Sequence, residues 1–182
     1  LENLLPQAYL IGLVVLLGGA AVVVARQIWK VRQDEVTLAR LERQGGQGDQ
    51  TEARDAASLY ELGSVQLRKR LFGQAVESLS EARQLATAEE APAEALALIE
   101  NALGFALAAQ KNYKTALKHY RAALKAKPDY PVALNNLAYA LEKEQDPEQA
   151  RATYQKVLEL DSGNRTALKR LNRLERTQGK AA

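Results

Sequence analysis

The sequence predicts an all-α protein: a single N-terminal transmembrane helix, then a solenoid of three helical hairpins closed by a basic capping helix. Three observations carry that expectation. Residues Asn3 to Ala25 form an unbroken uncharged run dense in Leu, Val, Ile, Ala and Gly. Residues 56–164 repeat one helical pattern three times, the last two copies 34 residues apart. Residues 165–176 set Leu168, Leu171 and Leu174 on one helix face among Arg165, Lys169, Arg170, Arg173 and Arg176.

At 182 residues the chain accommodates one domain of ordinary size plus an appendage. It has no Cys, which excludes a disulfide framework, a thiolate nucleophile and any sulfur-ligated zinc site. It has no Met either, so the chain is expected to begin downstream of its translation start. Lys and Arg number 25 against 22 Asp and Glu, an excess too small to imply nucleic acid unless the charge is clustered. The mean hydropathy of −0.32 averages an apolar N-terminal part with a polar remainder.

The first element, residues 1–30, reads as a membrane anchor. Its 23 uncharged residues form roughly 34 Å of helix, enough for a hydrocarbon core of about 30 Å. Pro6 falls where a missing N–H costs little. A cleaved signal would carry positive charge before its apolar region; here Glu2 precedes it, and Arg26, Lys30 and Arg32 follow. Those cations place everything after Arg26 on the cytoplasmic side, with Trp29 in the headgroup layer. Ala8, Gly12 and Gly19 share a face on which a partner helix can pack closely.

Residues 31–44 continue as a helical stalk, with Val31, Val36, Leu38 and Leu41 spaced among mixed charges. The glycines at 45, 46 and 48, with no apolar residue among them, predict a flexible joint over 45–55.

The repeats come next, at about 56–89, 97–130 and 131–164. Leu103-Gly104 aligns with Leu137-Ala138, followed in each by Ala116 or Ala150, Tyr120 or Tyr154, and Ala123 or Val157. An upstream copy holds Leu62-Gly63, Ala75, Leu79 and Ala82, set about seven residues further off by an insertion near Ala86 to Glu94. The spacing resembles the tetratricopeptide repeat. That resemblance implies two antiparallel helices per repeat, with the small residues at their crossing. Phe72, Tyr113 and Pro147 occupy matching turn positions, and Pro128 ends a repeat. Residues 165–182, with a net charge of +5, form the expected cap and tail.

No catalytic constellation appears, and no cofactor or metal is expected. The glycine cluster lacks the Lys-Ser or Lys-Thr of a phosphate loop. His119 is the only histidine and has no companion at metal-ligand spacing. Glu142, Glu144, Asp146 and Glu148 read as a solvated helix end. No aromatic platform is interleaved with the C-terminal charge, so nucleic acid is not an expected partner.

Binding has candidates. In tetratricopeptide arrays the first helix of each repeat lines a concave groove. Carried over, that geometry puts Tyr60, Ser64 and Arg68 there from the first repeat. Asn101, Phe105 and Ala109 follow from the second, Asn135, Tyr139 and Glu142 from the third, and Lys169 and Arg173 from the cap. The asparagines suit either a peptide backbone or local packing, and the aromatics either a pocket or the core. Arrays that clamp the acidic C-terminus of heat-shock chaperones use Lys and Asn where this chain has Tyr60 and Ser64, which weakens that reading.

The order of these parts resembles one family in particular. The anchor ending Ala-Arg-Gln-Ile-Trp-Lys, the stalk Thr-Leu-Ala-Arg-Leu, and Tyr-Glu-Leu-Gly-Ser, Asn-Ala-Leu-Gly-Phe-Ala and Ala-Leu-Asn-Asn-Leu-Ala carry the likeness. The family is that of thylakoid tetratricopeptide proteins assisting photosystem I assembly. Its members are encoded in cyanobacteria and some algal plastids as hypothetical chloroplast reading frame thirty-seven, with a plant relative called pale yellow green seven. The resemblance implies a non-catalytic scaffold on the cytoplasmic (stromal) face of the thylakoid membrane. Its partners would be photosystem I subunits or assembly intermediates, other assembly factors, and lipid through the anchor. The alternative is a membrane-tethered adaptor in secretion, envelope assembly or chaperone recruitment.

Overall fold

Eight helices follow from these patterns in a computed structural model that describes residues 4–46 and 55–178. The chain divides into two units, Leu1–Gln47 and Gly48–Ala182.

The first unit is one helix, α1 (Leu4–Gly46), 43 residues long. At 1.5 Å per residue it spans about 64 Å, twice a bilayer's hydrocarbon thickness. Between Leu13 and Lys30 its apolar side chains are exposed, among them Leu16, Val23 and Trp29. The stretch Leu13–Ala39 is long and apolar enough to cross a membrane. The helix runs through Gly45 and Gly46, where a break was expected, because each glycine costs a helix only about 1 kcal/mol. The rest of that joint, up to residue 54, lies outside the described residues. So do the side-chain surroundings of Ala8 and Gly12 within α1; a Cβ added at Gly19 would meet nothing within 4 Å.

The second unit is an antiparallel run of α2 (Ala56–Arg68), α3 (Phe72–Ala88), α4 (Ala93–Ala109), α5 (Tyr113–Ala126), α6 (Pro131–Lys143), α7 (Pro147–Leu160) and α8 (Arg165–Gln178). Each helix packs on the next, and α4 also touches α2 and α6, so α2, α4 and α6 line one side and α3, α5 and α7 the other. Three-residue turns within hairpins alternate with four-residue turns between them. The seven inserted residues do not lengthen a loop. They extend α3 by three residues over α5 and α7, and α4 by four over α6, so the second repeat's inner helix starts at Ala93.

Small residues let the hairpins close. A Cβ at Gly63 would lie 2.5 Å from Leu79 Cγ, and one at Gly104 2.7 Å from the Tyr120 ring. Ala138 takes this place in the third repeat, in the cluster that holds Tyr154, Leu141 and Val157. Both tyrosines are almost fully buried, at 1% and 0% exposure.

Each hairpin turn is closed by the same device. Arg70, Lys111 and Gln145 have φ of 62°, 65° and 62°, and Glu90, between α3 and α4, has 52°. In each case two backbone bonds cross the helix end; for the second hairpin, Lys111 N–H donates to the Ala108 carbonyl and Asn112 N–H to that of Leu107, both at 2.9 Å. Helix starts are capped by Asp55, Asn112, Asp146 and Asn164, each accepting a backbone N–H three residues on. The Ser58 hydroxyl and amide both donate to Asp55 and hold its carboxyl below the usual value.

Candidate protein-binding groove

The inner helices α2, α4, α6 and α8 carry the residues expected in a groove, and the structure brings them together unequally. Phe105 is 46% exposed and sits beside Tyr139 and Tyr113 in the wall of a cavity of about 480 Å³. Leu67 and Phe72 also line it, as do Arg70 and Lys111, exposed in the hairpin turns. The Tyr113 and Tyr139 rings meet edge to face at 6.3 Å and 82°. Tyr120 also reaches this wall, and its burial pushes the phenol well above its ordinary value.

Tyr60 belongs to a different depression. It lines a cavity of about 290 Å³ with Ala57, Ala95, Leu98 and Ile99, at the junction of the first two repeats. Ser64 is half-buried, and its carbonyl accepts from Arg68 Nη1 at 3.4 Å.

The asparagines are already engaged within the chain. Asn101 Nδ2 donates to the Tyr130 hydroxyl at 3.4 Å, and its Oδ1 accepts from Asn136 at 3.0 Å. Asn135 Nδ2 donates to Asn164 Oδ1 at 3.2 Å, the same oxygen that caps α8. Asn135 Oδ1 is buried without a partner. Both residues therefore tie one inner helix to the start of the next. The Tyr130 phenol is raised, first by burial and then by the neighbouring Tyr60, and Asn101 opposes the shift.

Glu142 departs most from expectation. It is not part of a solvated helix end: its side chain is only 6% exposed. Tyr154 Oη donates to it at 2.7 Å, Arg170 Nη1 lies 3.3 Å away, and Arg173 Nη2 forms an ion pair with it. Burial, followed by the bond to Glu142, raises the Tyr154 phenol well above its ordinary value. A buried carboxylate needs such partners, because an unpaired one would carry a heavy desolvation penalty. Arg170 also stacks on Tyr139, its Cζ 4.5 Å from the ring centroid. Sequence reasoning passed over Arg170; the available signal was its position one turn before Arg173 on the face of α8 turned toward α6. Lys169 is exposed, and with Arg165, Thr166, Arg170 and Arg173 it lines a third cavity of about 430 Å³.

His119 lies on the opposite side of the array. Its Nδ1 is 2.7 Å from Glu100 Oε2, whose other oxygen is 3.9 Å from Arg83. Among the described residues no group of three His, Cys, Asp or Glu side chains is placed to hold a metal ion.

Comparison with known proteins fits this geometry. A tetratricopeptide-repeat family model matches residues 107–174. Among solved structures, the first tetratricopeptide domain of Spaghetti (RPAP3), bound to an HSP90 peptide, superimposes with a TM-score of 0.62 at 20% identity, covering 74% of this chain and all of that one. The tetratricopeptide domain of Sgt2 from Aspergillus fumigatus gives 0.62 at 18%, covering 75% and 87%. Relatives match along nearly the whole of this chain. The ycf37 protein of Cyanophora paradoxa is 29% identical over 96% of this chain and 98% of its own. The chloroplastic tetratricopeptide protein PYG7 of Arabidopsis thaliana is 30% identical over 92% of this chain, which spans about half (54%) of PYG7. The ycf37 protein of Guillardia theta is 30% identical over 94% of this chain and 93% of its own. The array is a protein-interaction scaffold rather than an enzyme. With that identity across almost the entire length of both chains, the protein belongs to the ycf37 family of tetratricopeptide-repeat proteins.

Proposed function

We propose that this protein is a membrane-anchored assembly factor for photosystem I. In this reading α1 crosses the thylakoid membrane once, with Ala8, Gly12 and Gly19 available to a partner helix. The array stands on the cytoplasmic (stromal) side and holds subunits, assembly intermediates or other factors through Tyr60, Ser64, Arg68, Asn101, Phe105, Asn135, Tyr139, Lys169 and Arg173. The observation that carries the reading is the family likeness across both the apolar helix and the array, to proteins of plastid-bearing organisms. Arg26, Lys30 and Arg32, after the apolar run, support the orientation. The exposed Phe105 beside a roomy aromatic cavity supports the groove. Affinity purification of the tagged protein from solubilised thylakoids of cells actively building photosystem I tests the proposal. Photosystem I subunits are expected among the retained proteins, and their absence refutes it.

A further inference from the structure

Two cavities on the inner side of the array adjoin through one contact. Tyr139 lines the aromatic cavity, Arg170 lines the cavity on α8, and the guanidinium lies 4.5 Å from the centre of the tyrosine ring. The stack is thus a shared wall. On one side lie Phe105, Tyr113 and Phe72. On the other lie Arg165, Lys169 and Arg173.

The charge on these walls has one sign. Arg70 and Lys111 line the aromatic cavity, and four cations line the other, while no carboxylate lines either among the described residues. The carboxylate nearest the shared wall, Glu142, is 6% exposed and already faces Tyr154, Arg170 and Arg173. It offers a ligand no repulsion at the surface and pairs with two of the arginines. Arg165 and Lys169 remain exposed at the rim.

We infer that this double cavity holds an extended protein segment in which an aromatic or large aliphatic side chain is followed closely by Asp or Glu. The apolar side chain enters between Phe105 and Tyr139, and the acids lie along Arg165 and Lys169. An apolar anchor in a desolvated pocket supplies most of the affinity, and a cationic rim selects by charge and steers approach. The aromatic half argues for a protein segment over a lipid headgroup, which would use the basic half alone. The acid is held at the cap end, where Arg165 and Lys169 stand exposed. This assignment rests on the groove reading above and deepens it.

The experiment is selection of a random peptide library on the full-length chain immobilised in detergent micelles, with fluorescence anisotropy on the recovered peptides. Peptides pairing a Phe, Tyr, Leu or Ile with neighbouring Asp or Glu are expected. Their affinity should fall about tenfold or more in Phe105→Ala, and similarly in Arg165→Glu with Lys169→Glu, with steeper salt dependence in the wild type than in the charge variant. All three positions are exposed, and Arg165→Lys with Lys169→Arg should retain binding, which separates charge from folding. Recovered peptides that lack acid but still lose affinity in Phe105→Ala overturn the acidic specificity and leave the groove standing. Peptides indifferent to both variants overturn the groove as well. Failure to recover peptides above a bare-micelle control overturns the inference, and phosphatidylglycerol vesicles bound through Arg165 and Lys169 would then identify the surface as lipid-facing.

Discussion

Asn135 reaches 29 residues forward to Asn164, with Nδ2 3.2 Å from Oδ1, and Asn101 repeats the same step to Tyr130 at 3.4 Å. The equal span shows one device used twice: an amide on an inner helix holds the residue that starts the next inner helix. In Asn101→Ala, the Tyr130 hydroxyl and the Asn136 amide both lose a partner. Stability should drop by about 1–2 kcal/mol, read as a lower midpoint in denaturant unfolding of the array followed by circular dichroism. An unchanged midpoint would show that water replaces the amide without loss.

Gly104 has no room for a methyl group, since a Cβ would lie 2.7 Å from the Tyr120 ring. Gly104→Ala should therefore cost about 1–2 kcal/mol through overpacking, whereas Gly19→Ala, with nothing within 4 Å, should leave thermal unfolding of the array unchanged. Paired melting curves check both.

Lys111 holds a left-handed backbone with φ of 65°. Glycine adopts that conformation without strain, at the expense of a more flexible unfolded chain. Lys111→Gly should raise stability by about 0.5–1 kcal/mol, visible as a higher Tm.

Tyr120 and Tyr154 both bind the phenolic proton more tightly in the folded array than in the unfolded chain. Raised values stabilise fully below the ordinary value of 10.0, and that contribution is lost as pH rises beyond it. Each tyrosine should add about 1.4 kcal/mol per pH unit to the alkaline loss of stability. Tyr120→Phe should flatten the slope between pH 10 and 11.5 by that amount, measured by denaturant titration at each pH.

Orientation is open to a direct assay. Protease added to the cytoplasmic face of sealed thylakoid vesicles should remove an epitope at the C-terminus while a lumenal marker stays intact. Protection of the epitope would reverse the topology.

Most of the repeat architecture was legible because it rests on local pattern. Gly63, Gly104 and Ala138 mark helix crossings by size alone, and Tyr120 and Tyr154 mark the partners that fill the space. Glu142 was misread for a physical reason. Its sequence neighbours Glu144, Asp146 and Glu148 suggest solvent, whereas Tyr154 from α7 and Arg170 and Arg173 from α8, 28 and 31 residues on, enclose it. Asn101 and Asn135 were placed on the correct helices, but an amide's identity does not reveal which neighbour occupies it. The insertion between the first repeats was located but not its form, because extra residues with helical propensity extend two helices at a junction as readily as they widen a turn.

The left-handed turns carry a compromise. Arg70 and Lys111 line the aromatic cavity on backbone that glycine would occupy at lower energy. A chain selected for rigidity alone would give up both cations. In the proposed groove, keeping them would set folding free energy against charge beside the bound segment. Lys111→Gly, expected to tighten the second hairpin, also removes a cation from the wall of the proposed groove, so Tm and affinity for an acidic segment should move in opposite directions at that single position.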